Sequence, residues 1–255
     1  MGGSAALLFG INYVRTPGSR LNGCINDVMS MADYLRSVLK IQDVKCYDDE
    51  RDFDGVSKQG MLRALERLAE RSRVERLDFV WIHYSGHGTH VFDSTGDERD
   101  KRDECLCPAD YATAGLISDD CLKDIFKSFD PETRVMCVFD CCHSGTIGDL
   151  KWRFVNGRKE SENEEATVPA KIMLLSGCSD DQTSADAFNV ENTRKFTGAL
   201  TSCLLMTLRE NAAARKDALA MLEAVRGKLQ SRGFVQYPQL TASYDVSLQP
   251  AFLPL

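Results

Sequence analysis

The sequence predicts an α/β fold with a mostly parallel central sheet flanked by helices. Three observations carry this. The runs LDFVWIHYS (77–85) and TRVMCVFD (133–140) are near-continuously apolar, as strands covered on both faces are. Segments with apolar residues at helical spacing alternate with such runs along the chain. The 255 residues are 43% hydrophobic and 27% charged, which suits one domain with a sizeable core.

The elements follow in order. SAALLFGIN (4–12) is apolar and β-capable, and ends at a Gly-Asn turn signal. CINDVMSMADYLRSVLK (24–40) has helical spacing at Ile25, Val28, Met31, Ala32, Leu35 and Leu39. DVKCYDD (43–49) reads as a short strand. SKQGMLRALERLAER (57–71) reads as a helix capped by Ser57, with Met61, Leu65 and Leu68 on one face. Residues 88–117 are charged and read as loop. SDDCLKDIFKSF (118–129) is a helix, and AKIMLLSGC (170–178) is a third buried strand. FTGALTSCLLMTLREN (196–211) and ARKDALAMLEAVRGKLQSRG (214–233) read as helices, and YPQLTAS (237–243) as a last short strand. NGRKESENEEATVP (156–169) is polar and acidic without apolar period, and reads as a mobile connection between two halves of one sheet.

The formal net charge of −7 argues against nucleic acid as a partner, because phosphate contacts need a basic face. Ten cysteines lie in apolar runs or sparse loops, without the dense framework of a small secreted domain. MGGSAALLFGINYV has no basic n-region and too short an apolar run for a signal core. Nothing approaches the length of a membrane span. These features point to a reduced, cytoplasmic setting with no membrane partner.

The chemistry gathers at two strand ends. In an open parallel sheet, ligands bind at the carboxyl ends of the strands. The two most apolar strands end in HYSGHG (83–88) and DCCHSG (140–145). If they are neighbours, His87 and one of Cys141 and Cys142 face one crevice. A thiol at its free pKa of about 8.5 is mostly protonated at neutral pH. An imidazole can take that proton and later give one to a leaving amine. Pattern alone leaves a second reading open, in which the cysteines are core and the histidine belongs to a loop. A redox pair is weaker, since adjacent cysteines seldom reach disulfide geometry and no C-x-x-C occurs. A zinc site lacks paired ligand spacings.

The blocks GCINDV (23–28), HYSGHGT (83–89), DECLCPAD (103–110), LISDD (116–120), VFDCCHSG (138–145) and SGCSDDQTSAD (176–186) together resemble the metacaspases, caspase-fold cysteine peptidases of clan CD, family C14. The blocks appear in family order, with His87 and Cys142 55 positions apart. The resemblance implies a caspase-like (caspase–hemoglobinase) fold of type I order in a single domain, 1–255. Residues 1–155 are then large-subunit-like, 156–169 the linker and 170–255 small-subunit-like. It makes His87 the base and Cys142 the nucleophile, with Cys141 a neighbour.

Metacaspases cut after Arg or Lys, and the resemblance places Cys24, Asp27, Ser85 and Asp140 in the S1 pocket. The residues offer a reason. Asp140 lies two before Cys142 and so shares its face of a strand. Two carboxylates at the base of a crevice would pair with a guanidinium or ammonium. Alternatively, Asp27 is a first-turn acid favoured by its helix dipole. The resemblance further places calcium ligands at Asp103, Asp119, Asp120 and Asp149, of the hard-oxygen type Ca²⁺ takes. Asp119 and Asp120 also suit the first turn of a helix capped by Ser118. Arg158 and Lys159 in the linker are candidate self-cleavage sites of a zymogen, because flexible polar loops are where nicking concentrates.

The expected function is thus a calcium-dependent cysteine endopeptidase acting on protein or peptide substrates with a basic residue before the scissile bond. The family resembles monomers and links to programmed cell death. A catalytically silent caspase-fold scaffold is the competing expectation.

Overall fold

The computed structural model describes residues 2–92, 102–141, 147–155, 158–161, 163, 167–177, 186–188, 196–249, 251 and 253. The elements in chain order are β1 (Ser4–Gly10), α1 (Cys24–Ser37), β2 (Asp43–Asp48), α2 (Lys58–Val74), β3 (Phe79–Ser85), β4 (Gly88–Phe92), β5 (Arg102–Leu106), α3 (Tyr111–Ala114), β6 (Ile117–Ser118), α4 (Asp119–Lys127) and β7 (Arg134–Asp140). β8 (Trp152–Val155), β9 (Arg158–Ser161), β10 (Lys171–Ser176), β11 (Asp186–Phe188), β12 (Phe196–Gly198), α5 (Ala199–Glu210), α6 (Ala218–Ser231) and β13 (Gln239–Ala242) follow.

Eight strands form one sheet in the order β2-β1-β3-β7-β10-β13-β8-β9. The first five are mutually parallel, and β13, β8 and β9 add on antiparallel. The side-chain alternation of the central strands builds a core on each face. Ala6, Leu8, Phe79, Trp81, Met136, Val138, Met173 and Leu175 pack against α1, α5 and α6. Leu7, Phe9, Val80, Ile82, Val135, Cys137, Ile172 and Leu174 pack against α2 and α4 on the other face. This is why β3 and β7 read as unbroken apolar runs: each residue, odd or even, meets a helix layer. Ser57 caps α2 by accepting from Gly60 N, and Ser118 caps α4 by accepting from Cys121 N.

Several segments differ from the sequence reading; Phe196–Gly198, read as helix, forms strand β12, and β8 and β11 were not foreseen. The stretch read as loop over 88–117 contains a second sheet, β4-β5-β6. The strands are short, β5 is charged, and their order comes from antiparallel pairing such as Gly88 with Leu106, which a linear pattern does not display. The polar connection likewise begins with a strand, β9, paired to β8 at the sheet edge. An edge strand needs no apolar face, and charged side chains suit it. Lys159 lies over the Trp152 ring, 4.3 Å from its centroid.

Candidate active site

β3 and β7 are direct parallel neighbours, and their last residues, Ser85 and Asp140, face each other in register. Continuing the alternation, Ser85 and Asp140 lie on the α1/α5 face with Trp81 and Val138. Tyr84, Phe139 and Cys141 lie on the α2/α4 face. Two chemically different surfaces therefore meet at this edge.

On the α1/α5 face, Asp27 from the first turn of α1 is 1% exposed and Asp140 is 4% exposed. Ser85 Oγ donates to Asp27 Oδ2 at 2.6 Å. Gly198 N donates to both oxygens of Asp27, at 2.8 and 3.0 Å. Thr201 N and Thr201 Oγ1 each donate to Asp140 Oδ2 at 2.8 Å. The two carboxylates converge on one point: a Cβ on Gly198 would lie 2.1 Å from Asp140 Oδ2 and 2.7 Å from Asp27 Oδ2. Gly198 and Thr201 are the N-cap and third residue of α5, so exposed backbone donors and the positive end of the helix face the acids. Asp27 thus reaches across to two other elements, beyond a role in its own helix. Cys24, the first residue of α1, is buried, and its N–H donates to Asn12 Oδ1 at 3.1 Å.

His87 follows β3 and is held by its neighbours. Its backbone N–H donates to Tyr13 Oη at 2.8 Å, and its carbonyl accepts from Tyr84 Oη at 2.7 Å and Cys107 N at 3.1 Å. Burial pushes the phenols of Tyr13 and Tyr84 well above their ordinary pKa, so both remain protonated. The Tyr13 ring packs on the imidazole with centroids 4.6 Å apart. His87 Nε2 lies 2.7 Å from Ser19 O. A carbonyl oxygen only accepts, so Nε2 carries a proton, and in the neutral ring the lone pair is then on Nδ1. That is the form in which an imidazole takes a proton from a thiol.

Cys142 lies outside the described residues. Cys141 is fully buried in the apolar cluster on the α2/α4 face, which suits a packing role.

The calcium candidates fall on three segments. Asp119 is buried, and its carboxylate accepts from Glu104 N and Asp120 N, both at 2.8 Å. This ties the start of α4 to β5, where Asp103 pairs with Val91 through the backbone. Asp149 is buried at a positive φ of 44°. It pairs with Lys123, one turn past Asp119, and accepts from Asn163 Nδ2 at 2.8 and 2.9 Å. The side chain of Asp103 lies outside the description; among the described residues no three His, Cys, Asp or Glu side chains form a metal-ready group. Arg158 and Lys159 are exposed on β9, and Lys159 also pairs with Asp245.

Sequence reasoning missed Gly198, Thr201, Tyr13, Ser19 and Lys123. The Gly three residues before a Thr at a helix start in FTGALT was the one available signal for the first two.

A histidine and a following cysteine block at adjacent strand ends, over a mostly parallel sheet with helices on both faces, define a caspase-like cysteine peptidase. The comparisons agree. The family model described as metacaspase, peptidase C14 domain matches residues 4–151. Metacaspase-3 of Trypanosoma cruzi is 35% identical over 267 residues, covering 97% of this chain and 73% of that protein. A relative named inactive metacaspase-4, from Trypanosoma brucei brucei, is 33% identical over 274 residues, covering 98% and 75%. In fold, the structure of pro-sf-caspase-1 superposes with a TM-score of 0.60 at 12% identity, over 95% of this chain and 92% of that one. The chain belongs to the metacaspase family. No described helix is long and apolar enough to cross a membrane.

Proposed function

We propose that this protein is a calcium-dependent cysteine endopeptidase that cleaves protein substrates after Arg or Lys. The observation that carries the specificity is the convergence of the Asp27 and Asp140 carboxylates at Gly198, beside the strand end that leads to His87. Hydroxyl and amide donors from Ser85, Gly198 and Thr201 hold the two carboxylates in place. A guanidinium can engage two such groups at once, an ammonium less well.

In the reaction, His87 Nδ1 takes the Cys142 thiol proton and the thiolate attacks the carbonyl after the basic residue. The imidazolium then gives its proton to the leaving amine, and water hydrolyses the thioester. Ser19 O and Tyr13 fix the imidazole plane and tautomer.

Calcium suits carboxylate oxygens, and Asp119 and Asp120 stand in the first turn of α4. Asp103, Asp119, Asp120 and Asp149 would hold it, and it would supply positive charge that ties the segment after β7 to α4. Lys123 now balances Asp149 and would have to yield. Self-cleavage at Arg158 or Lys159 belongs to the same proposal, and requires β9 to come off β8, since a peptidase site takes an extended, unpaired chain.

The Cys142→Ala variant is expected to lose all hydrolysis of an Arg peptide and all self-cleavage seen by intact mass, whereas Cys141→Ala keeps both. Activity retained in Cys142→Ala would point instead to a silent caspase-fold scaffold carrying a contaminating activity.

A further inference from the structure

A cavity of about 480 Å³ opens beside His87, lined among others by Ser19, Thr89, Cys107, Tyr111 and Leu116. It lies on the side of the sheet edge opposite the two acids. Asp27 and Thr201 belong to α1 and α5 on one face. Cys107 belongs to the buried cluster of α2 and α4 on the other, and Tyr111 and Leu116 pack against that cluster. His87 stands between them, since it lines the cavity and follows Ser85, which holds Asp27.

We propose that this cavity is the subsite for the residues that follow the scissile bond, and that it takes uncharged, largely apolar side chains. The inference rests on the peptidase reading above. The argument begins with the proton. An imidazole that protonates the leaving amine must touch that nitrogen, so the chain that carries the amine passes over His87. With the basic side chain on the α1/α5 face, the leaving chain continues onto the α2/α4 face, where the cavity is. Its volume falls within the range of ligand sites and exceeds the need of one side chain.

The lining sets the chemistry. The described residues that line the cavity include no aspartate, glutamate, lysine or arginine. The two hydroxyls at its mouth, Ser19 Oγ and Tyr111 Oη, satisfy each other at 2.8 Å. Tyr111 also packs edge-on against Tyr13, with centroids 6.0 Å apart, so its ring is a fixed wall. A carboxylate entering here would lose water and meet no lysine or arginine among the described lining residues, and an ammonium no carboxylate, while an apolar side chain gains burial. Substrate recognition is then split, with charge read before the scissile bond and apolar shape read after it.

The test uses internally quenched peptides that share one Arg and differ in the two residues after it, Leu-Leu or Asp-Asp. The wild-type protein should favour Leu-Leu by about 10-fold or more in kcat/KM. The Leu116→Lys variant should reverse the order by raising turnover of the Asp-Asp peptide above that of the Leu-Leu peptide, a gain that misfolding does not produce. A wild-type ratio near one, with no change in Leu116→Lys, would overturn the inference and leave the specificity for Arg intact. If wild-type protein cleaves neither peptide, the peptidase reading falls and this inference with it.

Discussion

Gly198 is glycine for space, not for backbone freedom: its φ of −67° is open to any residue. Adding one methyl places a carbon inside contact distance of both acids. Gly198→Ala should displace the carboxylates by an ångström or so and lower kcat/KM for an Arg peptide by roughly 100-fold, with the melting temperature little changed. Steady-state kinetics beside a thermal melt read this. His83 is the other telling residue. It sits fully buried on the same face as Ser85, and neither ring nitrogen has a hydrogen-bond partner among the described residues. Desolvation depresses its pKa to about 3. The unfolded chain binds that proton near pH 6.5 and the folded chain does not, so stability is full above pH 6.5 and falls as pH drops toward 3. Between pH 6.5 and 5, where ordinary carboxylates contribute little, the His83→Phe variant should lose a slope approaching ~1.4 kcal/mol per pH unit. Denaturant melts across that window decide it, and equal slopes would mean that His83 is solvated.

At the scale of elements, two helix starts do the organising. The N-terminus of α5 brings amide donors to Asp27 and Asp140, which sit on α1 and β7. The N-terminus of α4 gathers Asp119 and Asp120, and its next turn presents Lys123 to Asp149. Lys123 is thus an internal cation among acids proposed to bind an external one. Replacing it with Gln removes the competitor, and calcium should then bind roughly 10-fold tighter, about 1.4 kcal/mol. Calorimetric titration and the calcium-induced rise in melting temperature should both show it. Unchanged affinity would place the calcium elsewhere.

Over the whole molecule, what could be read in advance follows how local its cause is. The parallel strands were legible because burial on both faces writes an unbroken apolar run, as in β3 and β7. The caps Ser57 and Ser118 act on residues three positions away, and they too were legible. β4, β5 and β9 were not, because their order comes from partners in antiparallel register, and the charged residues of β5 and β9 look like loop. The same division runs through the candidate site. Asp27, Ser85 and Asp140 stand in recognisable blocks, and the structure places them at one edge. Gly198 meets Asp27 across 171 positions, and Thr201 meets Asp140 across 61, distances no spacing argument spans. Ser19 holds His87 through its carbonyl, a group every residue has, so its identity carries no signal.

The most direct measurement is hydrolysis of two fluorogenic peptides, one ending in Arg and one in Asp, each with calcium or with chelator. Cleavage after Arg that requires calcium, with none after Asp, is the expected result, and it joins the nucleophile, the paired carboxylates and the cation in a single readout. Cleavage after Asp, or hydrolysis of neither peptide, would contradict the acidic pocket at Asp27 and Asp140 as the seat of specificity.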